Sequence, residues 1–375
     1  MKRLAGVLPM AAAVALSLTA CVSQDSAGSG SGSGSGDDAT QVAFIYVSPL
    51  QGSGWTQAWD QARVALEDEL DVETSAVEPI AETADSVGVL ENLVSEGNEV
   101  IFATAFGYQP FVAQVAADHE DVTFVVVGPW AQDDPPPTNV SVVSNDSWQT
   151  RYALGVLAAR TTESGILGFV AANPIPTVVA SVNAFELGAR SVDPSIETRV
   201  VFTGTWYDPA RATQAAQTLA NGGADVIAQY EDSTGTLLGA QGADVWGIGS
   251  EVDSSELVPD AYLSGSVNDW REFVVDLVSS VQDGDYEQQQ VVGSIESGMT
   301  AIGEFADDVP AEVRSEVEDV LSGLADGSVV PFTGLITSND GQEMLPAGEQ
   351  WADSEDVLSN QNALVEGVVG SIPAS

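Results

Sequence analysis

Residues 41–48 read Gln-Val-Ala-Phe-Ile-Tyr-Val-Ser, with six apolar side chains in an unbroken run. An unbroken run, in contrast to an alternation, predicts a strand covered on both faces, as in a parallel sheet. Outward from it, residues 56–70 and 84–96 carry apolar positions at helical spacing and predict amphipathic helices. Residues 99–105 (EVIFATA), 122–128 (VTFVVVG) and 140–144 repeat the buried-strand pattern. The alternation starts again at 166–172 (ILGFVAA) and continues through 198–206, 226–231 (VIAQYE) and 245–249, with helices at 177–190 and 209–219. Two βαβ series, each four or five strands long, predict an α/β protein of two similar Rossmann-like lobes with parallel sheets.

Open parallel sheets bind ligands beyond the carboxyl ends of their strands, so two facing lobes create a cleft lined by strand-to-helix loops. Aromatic residues recur in those loops: Trp55, Phe106, Tyr108, Trp130, Trp206 and Tyr207. Aromatic faces beside a few amides and carboxylates suit a flat heterocycle with polar edges, each stacking contact contributing about 1–3 kcal/mol. The competing reading of any one ring is a plug at the end of a sheet.

The chain carries 56 acidic against 10 basic residues, a formal charge of −46. Beyond Lys2 and Arg3 every cation is an arginine, and no basic stripe exists to displace counterions from phosphates, which excludes most nucleic-acid roles. The acidic excess predicts a well-solvated surface. At the N-terminus, Lys2 and Arg3 precede an apolar stretch over 4–18 and then Leu18-Thr19-Ala20-Cys21, the pattern of a secretory signal. Leu-Thr-Ala-Cys resembles the bacterial lipobox, which implies removal of 1–20 and lipidation of Cys21, the one cysteine of the chain. Residues 21–39, with alternating Ser and Gly over 29–36, read as a flexible tether. No later run approaches the roughly 18 apolar residues of a membrane span, so the expectation is an exported body held at the outer face of the cell membrane by its N-terminal lipid.

Catalytic machinery is not identifiable. His119, the single histidine, sits in an Ala-Ala-Asp-His-Glu segment that predicts a solvated helix end. With no cysteine in the body, the usual triads and zinc ligand sets lack members. Asp133-Asp134 and Asp307-Asp308 lack EF-hand spacing and read as exposed turns. No metal or cofactor is expected. A surface hydrolase using a carboxylate pair is the alternative of a different class.

Several segments resemble one family in consistent order: Gly54-Trp55-Thr56-Gln57-Ala58, the IFATAFGY stretch over 101–108, LGFVAANPIP over 167–176, NAFELGARSVDP over 183–194 and GADVIAQ over 223–229. Together they are similar to the basic membrane protein (BMP) family of ABC-transporter substrate-binding lipoproteins, over roughly residues 40–335. The resemblance implies a type I periplasmic-binding-protein fold whose lobes are joined by three hinge crossings, near 145–148, 267–270 and 298–302. It implies a first lobe of 40–146 plus 268–298, a second of 147–267 plus 299–335, and a C-terminal extension over 336–375.

The resemblance further implies a monomer that captures a purine base or nucleoside and delivers it to permease subunits of an ABC importer. The positions carried over to the cleft are Trp55, Phe106, Gly107, Tyr108, Trp206 and Trp270, with Asn145 at the first crossing. Two family carboxylate positions are occupied here by Gly52 and Gly249; Asp232, Glu251 and Asp269 are the candidates to replace them. The loss shifts the expected ligand from nucleoside toward a planar base or another heterocycle. Another small polar solute such as a sugar remains the alternative within the binding class.

Overall fold

The computed structural model describes residues 39–373; Cys21, the signal segment and the Ser-Gly tether lie outside the described residues. The first series comprises β1 (Thr40–Ile45), α1 (Trp55–Glu69), β2 (Val72–Val77), α2 (Asp85–Ser95), β3 (Val100–Ala103), α3 (Gln109–Ala116), β4 (Thr123–Val127) and β5 (Val140–Asn145). The second comprises α4 (Ser147–Thr161), β6 (Ile166–Ala171), α5 (Pro176–Val192), β7 (Glu197–Phe202), α6 (Pro209–Asn221), β8 (Val226–Tyr230), α7 (Gly235–Gly242), β9 (Trp246–Gly249) and β10 (Tyr262–Asn268). Then follow α8 (Arg271–Gln282), β11 (Gln290–Gly293), β12 (Thr300–Ile302), α9 (Ala311–Ala325), four short strands β13 (Phe332–Thr333), β14 (Ile336–Thr337), β15 (Glu343–Leu345) and β16 (Gln350–Trp351), α10 (Ser354–Ser359) and β17 (Val368–Val369).

The strands assemble into two large sheets with the same winding. One runs β11-β5-β4-β3-β1-β2 and the other β12-β10-β9-β8-β6-β7-β17. Within each, the first strand of the series lies between the second and the third, and neighbours pair in parallel. Only β12 joins its sheet antiparallel. This is a two-lobed α/β architecture of the periplasmic-binding-protein type. The chain passes between the sheets three times, after β5, after β10 and between β11 and β12.

The continuous apolar runs end up where that patterning places them. Val42 through Tyr46, Val100 through Ala103 and Phe124 through Val126 are buried, with helices on both faces. In the first lobe, Trp59 of α1 stacks on Trp270 with ring centroids 4.5 Å apart, and Phe44 stacks on Phe102 at 4.5 Å. Burying rings of this size contributes several kcal/mol each. In the second lobe, α4 and α5 approach backbone to backbone. A Cβ on Gly155 would meet the Phe185 carbonyl oxygen at 2.0 Å, and one on Gly188 would meet that of Tyr152 at 2.0 Å.

Several elements went unforeseen. β2 is an edge strand whose sequence, VETSAV, is half exposed and carries no apolar run. Helix α4 is buried along most of its length, so it shows no polar face for periodicity to detect. The C-terminal segment contributes β17, which pairs with β7 and forms the edge of that sheet, and its Trp351, Leu364 and Val365 join the second lobe's core. Among the described residues no helix is long and apolar enough to cross a membrane.

Candidate functional site

Each sheet has a switch point, between β1 and β3 in one lobe and β6 and β8 in the other, where chain direction across the sheet reverses. Ligands of open α/β sheets bind beside such points, beyond the strand ends. A cleft lies there, enclosing about 650 Å³ of space with its open mouth included. From the first lobe it is lined by Val47 after β1, Trp55 at the start of α1, Phe106 after β3, Gly128 after β4, and Ser144 with Asn145 on β5. From the second come Ile175 and Thr177 after β6, Trp206 after β7, Tyr230, Glu231 and Asp232 at the end of β8, and Glu251 after β9.

Three half-buried rings, Trp55, Phe106 and Trp206, face this space from both lobes. Trp55 is held by its indole N–H, which donates to the Thr104 carbonyl at 2.6 Å, and by the edge-on ring of Trp270 at 5.5 Å. Phe106 fits because Gly128 has no side chain: at φ +94°, a Cβ there would lie 2.4 Å from the ring. The Trp206 indole donates at 2.7 Å to Glu82, which stands on the other lobe between β2 and α2 and also accepts the Gly107 N–H at 2.6 Å. Burial raises the Glu82 pKa, and these two donors moderate the rise.

The carboxylates of the second lobe are each differently engaged. Asp232, 3% exposed, accepts backbone N–H groups of Gly54 and Trp55 at 2.8 Å and the Thr56 hydroxyl at 3.0 Å. Its pKa is raised by burial, against the hydrogen bonds. Glu251, with φ +74°, lies 3.7 Å from the fully buried guanidinium of Arg151. It accepts the Ser250 hydroxyl at 2.7 Å and the Asn268 amide. Asn268 in turn accepts from Asn145 at 2.7 Å, tying the first and second crossings together. Burial raises Glu251, partly offset by Arg151. Glu231, 2% exposed, accepts the Thr236 hydroxyl at 2.6 Å and that of Ser233 at 3.3 Å on Oε1, and leaves Oε2 without a partner.

Of the residues singled out in the sequence, the structure brings Trp55, Phe106, Asn145, Trp206, Asp232 and Glu251 to one cleft. Gly107, Tyr108 and Trp270 stand outside its lining. Tyr108 is fully buried and donates to the Ile80 carbonyl, Gly107 contacts Glu82, and Trp270 packs beneath Trp55. Asp269 pairs with Arg271. Trp130 donates to the Asp134 carbonyl at 2.6 Å, and Tyr207 donates to the Gln51 carbonyl at 3.3 Å. His119 meets Glu91 at 2.9 Å, so the expected solvated histidine has an acidic neighbour. Both Asp pairs are exposed, and among the described residues no cluster of three or more His, Cys, Asp or Glu could hold a metal ion. Sequence reasoning missed Glu82, whose segment carries no motif, and Glu231, whose signal was its place at the carboxyl end of a buried strand.

A model of the Bmp family, described as ABC transporter substrate-binding protein PnrA-like, matches residues 39–322. The chain belongs to this family. As a Bmp-family protein it is 33% identical over 339 residues to a purine-binding protein of Brucella abortus, covering 90% of this chain and 95% of that one. It is 31% identical over 338 residues to a candidate ABC-transporter glucose-binding protein of Haloferax volcanii, covering 90% and 82%. A solute-binding protein of an ABC transporter system from Aeropyrum pernix shares the fold, with a TM-score of 0.69 at 15% identity, over 87% of this chain and 100% of that one. This Bmp-family protein is thus an ABC-transporter substrate-binding protein.

Proposed function

We propose that this protein captures a purine base, or a nucleoside built on one, between its lobes and delivers it to the permease of an ABC importer. In this reading it works as a monomer, lipidated on Cys21 and held at the outer face of the cell membrane by the 21–39 tether. The observation that carries the reading is the convergence of Trp55, Phe106 and Trp206 from opposite lobes on one largely apolar cleft, whose few polar groups are the amide of Asn145, the hydroxyls of Ser144, Thr177 and Tyr230 and the carboxyls of Glu231, Asp232 and Glu251. Flat faces for stacking and polar groups for an edge are what a heterocyclic base requires. The Brucella abortus relative, named for purine binding, supports the same class.

The Haloferax volcanii relative, named for glucose, supports a second reading, since sugars also stack on rings. A binding role fits the carboxylates better than hydrolysis does: Asp232 and Glu251 are committed to fixed donors, leaving no free pair. The test is thermal stabilisation of the protein by adenine, guanine, hypoxanthine, their nucleosides and glucose, because a ligand bound only by the folded state raises apparent stability by mass action. A shift with purines, lost in Trp55→Ala and Phe106→Ala, is the expected result. A shift with glucose alone would replace the purine reading with the sugar one.

A further inference from the structure

We propose that Glu231 sets the ligand specificity of the cleft, its uncommitted Oε2 donating a hydrogen bond to an acceptor atom, a ring nitrogen or carbonyl oxygen, on the edge of an uncharged planar heterocycle. The assignment rests on the purine reading and adds to it which chain atom reads the ligand and with which polarity.

Three carboxyl groups of the second lobe line the cleft, and two of them are spent. Asp232 gives both oxygens to the start of α1. Glu251 gives both to Ser250 and Asn268 beside Arg151. Glu231 alone keeps an oxygen free. A buried polar atom without a partner is destabilising, and a ligand group that pairs with Oε2 would remove that cost.

The polarity follows from the surroundings. Both hydroxyls that reach Glu231 donate to Oε1, so Oε2 is the oxygen on which the proton of a neutral acid would sit. Arg151, the buried cation of this region, is paired with Glu251, and Asp232 follows Glu231 directly in the chain. The other titratable groups around the cleft are Tyr230, beneath the Arg151 guanidinium, and Glu82 on the opposite lobe. Helix α7, which supplies Thr236, carries no charge. Burial pushes the Glu231 carboxyl up to about 8, with the Thr236 and Ser233 hydroxyls working against the rise and Asp232 adding to it. At neutral pH the group is an acid that donates, so the complementary ligand atom is an acceptor and the ligand carries no charge.

The test is calorimetric titration with adenine and with its 1-, 3- and 7-deaza analogues, each of which replaces one ring nitrogen by C–H. Wild type is expected to bind one analogue at least about tenfold more weakly than adenine. Glu231→Gln, whose amide also donates, should keep that discrimination, and Glu231→Leu should abolish it. In wild type, adenine affinity should fall as pH rises through the range in which Glu231 ionises, while that of Glu231→Gln stays level. This pH comparison decides the matter if the leucine variant does not fold. Equal preferences in wild type and Glu231→Leu, or parallel pH profiles in wild type and Glu231→Gln, would overturn the role of Glu231 and leave the purine reading standing. Binding of glucose with no binding of any purine would overturn the purine reading, and the heterocycle assignment with it.

Discussion

Asp232 Oδ2 accepts a hydrogen bond from the Thr56 hydroxyl at 3.0 Å, joining the end of β8 in one lobe to the first turn of α1 in the other. Helix α1 begins at Gly54, which has no side chain to cap it. The opposite lobe supplies the cap: a carboxylate on the N–H groups of Gly54 and Trp55, at the positive end of the helix dipole. Asp232 and Trp55 also line the cleft, so closing the lobes and completing the helix are one event. Glu82 and Trp206 make a second contact with the polarity reversed, the carboxylate coming from the first lobe.

Asp232→Ala should therefore shift the lobes toward an open arrangement. Loss of an N-cap costs about 0.5–2 kcal/mol, here charged to closure because the N–H groups regain water when the lobes part. Small-angle scattering should give a larger radius of gyration for the unliganded variant, and ligand affinity should drop roughly tenfold. Scattering and affinity identical to wild type would show that this contact does not govern closure.

Gly54→Ala should act on the same motion by a steric route. A Cβ at Gly54 would sit 2.7 Å from the Ser250 carbonyl oxygen of the facing lobe. The backbone there, with φ −105°, accepts alanine without strain. The expected outcome is weaker ligand binding by about tenfold with an unfolding free energy altered by less than about 1 kcal/mol, because the clash exists only when the lobes meet. A large loss of stability in chemical denaturation would locate the damage within one lobe.

Trp270→Ala separates packing from contact. The ring is fully buried, stacked on Trp59 and edge-on to Trp55, and stands outside the cleft lining. Truncation of a buried tryptophan typically costs about 3–5 kcal/mol, so urea unfolding should show that order of loss. Affinity should fall as well, since Trp55 loses its backing; Trp270→Phe should restore much of both.

Stability should decline from mildly acidic to alkaline pH. Burial raises Glu231 to about 8 and Glu186 to about 7, against an ordinary 4.5 for glutamate. Between those values the folded state binds more protons than the unfolded one, so stability contributed below about 4.5 is lost as pH rises through the folded values. The unfolding midpoint of unliganded protein should fall between about pH 5 and pH 9. Glu231→Gln and Glu186→Gln should each flatten the fall, which distinguishes this effect from repulsion within a chain of charge −46. Curves parallel to wild type would mean that neither group changes protonation on unfolding.

The sequence by itself determined the two parallel-sheet series and the loops that hold Trp55, Phe106 and Trp206, because a doubly covered strand must be continuously apolar and a strand end must turn. Its family resemblance brought forward Asp232, Glu251 and Asp269 as replacements for carboxylates absent at Gly52 and Gly249, and of these Asp269 lies outside the cleft lining, paired with Arg271. Elements whose burial comes from neighbours distant in the chain were not legible: β2 as an exposed edge, α4 enclosed on most sides, β17 added from the C-terminus. Tertiary structure alone decided which acids are spent and which is free. Asp232 is occupied by a helix 176 residues away in the chain, Trp206 by Glu82 at a separation of 124, and Glu231 keeps its free oxygen only because its other oxygen meets Thr236. Composition specifies a carboxyl group; its charge, partners and availability depend on the solvent and donors that folding removes or brings near.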